Sequence, residues 1–167
     1  MFFYLKKIIF CSLIFTLLGA PAFSINLEKG EIVPSLNIVD IHDQPIKLSY
    51  LFEAKPKIVF FFASWSKSCQ KAAAYLNNLY MKNQSQLQII GISFDQKTED
   101  LQKLIDEQNL KFTLLKDPKL ISAKPYQILV IPSIFLIGSD NRLVELIVDF
   151  DENIPNKIEE SLIPLLK

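Results

Sequence analysis

Five consecutive apolar residues, Ile58 to Phe62, constrain this chain more than any other stretch; all are β-branched or aromatic, with no turn former among them. Such a run reads as a strand buried on both faces, in the middle of a parallel or mixed sheet. It stops at Ala63-Ser64-Trp65, and a helical pattern begins near Ser68 and carries on to Lys82. Lys57 to Cys69, K-I-V-F-F-F-A-S-W-S-K-S-C, thus runs from strand through tight turn to helix N-terminus. That order sets a side chain at the carboxyl edge of a sheet, in the field of a helix N-terminus.

On the N-terminal side, Gly30 to Ser49 alternates apolar and polar around Leu36, Ile38, Ile46 and Leu48, with the polar turn His42-Asp43-Gln44-Pro45 between them. This predicts a β-hairpin, followed by one helical turn over Ser49–Phe52 capped by Ser49. On the C-terminal side, Cys69, Ala73, Leu76, Leu79 and Tyr80 recur at helical spacing to about Asn83. Gln88 to Phe94 is a second buried-type strand, and Thr98-Glu99-Asp100 opens a helix with a capping hydroxyl and acids in its first turn. Phe112 to Leu115 is a short extended piece, and Leu120 to Tyr126 is expected to be a short helix. Ile131 to Ile137 is a strand opened by Pro132, where the missing N–H costs no ladder bond. Gly138 to Asn141 is a hairpin turn, Leu143 to Val148 its partner strand, and Asn153 to Leu166 a closing helix weakened by Pro164. Strands alternating with helices at this spacing indicate a three-layer α/β domain.

Before Glu28 the only charges are Lys6 and Lys7; they precede an apolar run, Ile8 to Leu18, and a small-x-small site, Ala20-Pro21-Ala22. This has the form of an export signal, cleaved after Ala22 or Ser24, leaving residues 25–167 as one domain. The run is short of the ~20 residues a spanning helix needs, so retention as a membrane anchor is the lesser alternative, and the expected location is the periplasm. The whole chain carries 18 basic and 18 acidic side chains. Loss of the two signal lysines leaves the domain slightly acidic, with no charge excess to attract nucleic acid or an anionic membrane. Cys11 leaves with the signal, so Cys69 remains as the single thiol and no internal disulfide is possible. His42, the only histidine, reads as a turn residue. No C-x-x-C, H-E-x-x-H or phosphate loop is present, so neither cofactor nor metal is expected.

The segment F-F-A-S-W-S-K-S-C resembles the active-site segment of the thioredoxin-like superfamily, F-W-A-x-W-C-x-x-C. The N-terminal hairpin, I-S-F-D, F-T-L-L-K-D-P and I-P-S-I-F-L-I are similar, in the same order, to the exported redoxin branch of AhpC/TSA–TlpA type. The resemblance implies a thioredoxin-like α/β/α sandwich with a central mixed sheet and an N-terminal β-hairpin extension. It also implies a cis Ile131–Pro132 bond facing the reactive turn, thiol–disulfide or antioxidant chemistry, and protein thiols, client polypeptides or peroxide as partners. The departures are at the chemistry. Ser66 stands at the position of the attacking cysteine, Phe60 at that of an inward acid, and Ser68 at that of a proline before the second cysteine, Cys69.

A serine hydroxyl ionises far above physiological pH and forms no disulfide, so two-electron dithiol cycling is closed to this sequence; Ser66 is also an ordinary helix cap. Cys69 has three readings: a buried small hydrophobe with a raised pKa, a lone reactive thiol toward peroxide or mixed disulfides, or half of an intermolecular disulfide. Ser66-Lys67-Ser68-Cys69 also resembles the [T/S]-x-x-C of peroxiredoxins, but Phe62 replaces that pattern's proline and the only arginine, Arg142, lies in a distal turn. Lys67 would favour a thiolate and burial would oppose it; burial is expected to prevail, leaving the thiol protonated at neutral pH. Two functions follow. One is an exported redoxin with a degenerate S-x-x-C site, built on Ser66 and Cys69, and at most single-cysteine chemistry. The other is a non-catalytic binding module that holds a polypeptide in a groove of Trp65, Lys67, Ser68, Ile131 and Pro132. A purely structural subunit is a third.

Overall fold

The computed structural model describes residues 27–166, so the expected export segment lies outside the described residues. Seven strands form one mixed sheet in the order β2-β1-β5-β4-β3-β6-β7. Its centre is the apolar run: β3 (Lys57–Phe62) is buried along its whole length between β4 (Gln88–Ser93), parallel to it, and β6 (Ser133–Ile137), antiparallel. Helix α1 (Lys67–Asn83) links β3 to β4, and helix α2 (Thr98–Gln108) links β4 to the parallel β5 (Thr113–Lys116). The hairpin of β1 (Asn37–Asp40) and β2 (Pro45–Lys47) pairs Ile38 with Ile46 and joins the sheet through β5. β7 (Leu143–Val148) forms the other edge, and α3 (Ile154–Leu162) ends in a 3-10 turn at Ile163–Leu165, where Pro164 has no N–H to continue the helix.

Alternation along β3 divides the core. Phe60 and Phe62, stacked 4.7 Å apart, point with Ile58 to the face covered by the three helices, where Cys69, Ala72, Ala73 and Leu76 of α1 are fully buried. Phe61 points to the opposite face and meets Tyr126 and Phe135 at 4.9 and 5.5 Å. Gly91, paired with Phe60, must lack a side chain: an added Cβ would lie 2.8 Å from Leu114, 2.9 Å from Phe112 and 3.1 Å from Phe62.

Three local expectations are corrected. Residues 121–127 form successive turns rather than a helix, because Pro125 cannot donate the bond a regular helix needs there. Ser122 and Ile121 are instead tied by their backbone N–H groups to the buried Asp117 carboxylate, at 2.7 and 2.9 Å. With the N-terminal segment and the Leu48–Tyr50 turn, these turns supply the sandwich's second outer layer. That turn starts one residue before the expected cap, and Ser49 caps nothing; its N–H donates to Ser35 Oγ. Thr98 lies inside α2 rather than before it, and its hydroxyl receives the Lys116 ammonium instead of the helix amides. Lys57, beside the sequence run, is fully buried: Nζ donates to Gly138 O and Asn141 Oδ1 and lies 5.3 Å from the Phe52 ring.

Candidate functional site

The site forms where β3 ends. Its last pairing with β6, Phe61 with Ser133, brings the Ala63–Ser66 turn and the Ile131–Pro132 bond to the same edge of the sheet, and that bond is cis. Ser66 N-caps α1: its Oγ accepts the Cys69 N–H at 3.4 Å and its carbonyl accepts the Gln70 N–H at 2.9 Å. The Ser66 hydroxyl is therefore a capping group of the helix that carries Cys69.

Cys69 is fully buried, in the apolar cluster that contains Phe60 and Phe62 and against which Ile131 packs. Burial pushes its thiol above the usual range; the hydrogen bonds of Ser66 and the Ala63 backbone pull it down, and the carboxylates of Asp95 and Asp149 push it up again. Lys67 is exposed at the first helical position. The charges acting on the thiol are thus both negative, and the expected competition between lysine and burial is replaced by carboxylates acting with burial.

Those two carboxylates went unrecognised in the sequence. Asp95, nearly buried, accepts from Ser64 N and Ser64 Oγ, both at 2.9 Å, and from Ser93 Oγ at 2.5 Å, which holds the turn to the end of β4. Asp149 Oδ1 accepts from Ser68 Oγ at 2.9 Å, while the Asp149 N–H donates to Pro132 O at 2.8 Å. The only visible signal was position, an acid directly after each of two apolar strands. Of the expected groove residues, Ser68 and Pro132 are joined through Asp149, and Ile131 shares the Cys69 cluster. Trp65 is 72 % exposed.

Around Pro132 the edge is apolar. Leu129 and Val130, just before it, are 94 % and 50 % exposed, and Ser133 Oγ turns back to Val130 O at 2.6 Å. Beside the turn, Ser64, Trp65, Gln70 and Leu104 line an open cavity of about 290 Å³. Among the described residues, no group of three His, Cys, Asp or Glu side chains is placed to hold a metal.

A thiol-disulfide oxidoreductase, ResA, from Bacillus thuringiensis subsp. konkukian (strain 97-27) is 27 % identical over 120 residues, 71 % of this chain and 69 % of that protein. A Chlorobium tepidum crystal structure, assigned as a thiol:disulfide interchange protein DsbE, superposes with a TM-score of 0.78 at 24 % identity, covering 85 % of this chain and 100 % of that one. Peroxidoxin BcpB from Mycobacterium tuberculosis superposes with a TM-score of 0.69 at 20 % identity, over 84 % and 97 %. These structures carry the mixed sheet and flanking helices found here, which is the thioredoxin-like fold. Residues 29–146, most of the chain, match the AhpC/TSA family, and the chain belongs to it.

Proposed function

We propose that this protein is an exported member of the family that engages thiol-bearing or client polypeptides at the Trp65–Pro132 edge without dithiol turnover. Cys69 carries this reading: it is fully buried with its thiol pushed up, and the Ser66 hydroxyl before it forms no disulfide. What supports a partner site is the exposure of Trp65 in the turn and of Leu129 and Val130 just before the cis proline. An extended peptide recognised there would gain apolar burial on aromatic and aliphatic side chains. Export rests on the Met1–Ala22 signal pattern, and mass spectrometry of the protein recovered from its compartment checks cleavage after Ala22 or Ser24.

Trp65 is the chain's single tryptophan and is exposed in the turn before α1, so on this reading its fluorescence is expected to report occupancy. With an alkylated, permanently unfolded polypeptide as client, the emission is expected to shift to the blue, with saturable binding. Substituting both Leu129 and Val130 by Ser should weaken that binding. Emission identical to that of the free protein at all client concentrations contradicts the binding reading. Rapid peroxide consumption by the unmodified protein would instead make it a one-cysteine peroxidase.

A further inference from the structure

We propose that Asp149 is a positioning residue that couples the cis-proline loop to the first turn of α1, so that this one contact keeps Cys69 enclosed. The inference rests on the reading of Cys69 as a shielded thiol. Asp149 lies just after β7 with φ +63°, a left-handed conformation that Asp and Asn tolerate better than most residues. Three bonds converge on it. Its N–H donates to Pro132 O at 2.8 Å, and its Oδ1 accepts Phe150 N–H at 2.8 Å and Ser68 Oγ–H at 2.9 Å. The Ser68 hydroxyl also lies 3.3 Å from Phe150 O.

Ser68 is the second helical residue and Cys69 the third. The bond from Ser68 therefore ties the helix start to a residue whose backbone is fixed to Pro132. Among the described residues, the side-chain hydrogen bonds between the helix start at Ser66–Cys69 and the Pro132 side of the edge are the two of the Ser68 hydroxyl, the shorter to Asp149 Oδ1 and the longer to Phe150 O. A bond to a charged acceptor is stronger than a neutral one, and opening it frees the first turn from the loop that closes over it. The proline typical before the second cysteine has no side-chain donor for such a contact, whereas Ser68 has one.

The test measures two rates in the intact protein: alkylation of Cys69 by iodoacetamide, and hydrogen exchange of the Cys69 and Gln70 amides. Asp149→Ala and Ser68→Ala are each expected to raise both rates about tenfold, the ratio that corresponds to about 1.4 kcal/mol. The double variant should not exceed Ser68→Ala, because that substitution already removes both bonds of the hydroxyl. Asp149→Asn keeps an acceptor oxygen and the tolerance of positive φ, so its amide exchange should stay near that of the unmodified protein. Unchanged amide exchange in both alanine variants overturns the proposal. So does faster alkylation of Asp149→Ala without faster exchange, which assigns Asp149 a charge effect alone. The reading of Cys69 fails separately, by fast alkylation of the unmodified protein, whereas the clasp fails on the ratios between variants.

Discussion

The Ser66 hydroxyl accepts the Cys69 backbone N–H, so this side chain stabilises the helix that carries the Cys69 thiol. Ser66→Ala is expected to lower stability by about 1 kcal/mol, the usual cost of losing an N-cap, read as a lower midpoint in urea with unchanged slope. Ser66→Cys weakens the cap and places a thiol three residues before Cys69. Reduction of insulin disulfides should appear in Ser66→Cys and be absent from the unmodified protein. Dithiol turnover in the unmodified protein contradicts the role given to Ser66.

Gly91 tests the packing beneath the site. Phe62 stacks on Phe60, and the Phe62, Phe112 and Leu114 side chains close the space over Gly91 of β4. Gly91→Ala inserts a methyl group into contacts of 2.8 to 3.1 Å, two of them with aromatic rings that cannot fold aside. Overpacking of this kind costs about 1–3 kcal/mol, and thermal unfolding should show a clear drop in Tm. An unchanged Tm would mean that the β3–β4 face is loosely packed.

Lys57 and Tyr75 give opposite slopes of stability against pH. Burial pulls the Lys57 ammonium below its usual value of 10.5, against the opposing pull of Asp140 and Glu53. The unfolded chain then binds a proton that the folded chain has released, so stability rises as pH climbs toward 10.5 and levels once both states are neutral. Tyr75, whose hydroxyl donates to Pro155 O at 3.2 Å, is pushed up to about 12 by burial and Glu159. The unfolded phenol ionises first, and stability falls between pH 10 and about 12. Urea titrations across this range should show a smaller rise in Lys57→Met and a smaller fall in Tyr75→Phe, the rest of the fall coming from the buried Tyr126, which burial also pushes up. A slope unchanged by either substitution contradicts the corresponding assignment.

The apolar β3 run, the helix that follows it and the hairpin are legible in the sequence because period and composition agree there: Ile58–Phe62 has no competing pattern, and Ile38 and Ile46 face each other as alternation requires. The 121–127 segment misleads because its apolar spacing is helical while Pro125 removes the bond that spacing needs. Thr98 misleads because a hydroxyl before acids suits a cap, yet a buried lysine from a neighbouring strand takes it. At the site, that a serine, Ser66, stands three residues before Cys69 is visible in one letter. The approach of Asp149 to Ser68 spans 81 residues of sequence and is set by the closure of β7 on β6, so no local pattern announces it.

The most direct test of the account is the rate of Cys69 alkylation by iodoacetamide against pH in the unmodified protein. A buried thiol flanked by Asp95 and Asp149, with its pKa raised above 9.0, is protonated at neutral pH. The rate should be slow at pH 7 and climb about tenfold per pH unit without levelling below pH 9, as the small thiolate fraction grows. A rate that is already fast and flat between pH 7 and 8 would mean an exposed thiolate, and would contradict both the shielded cysteine and the binding role built on it.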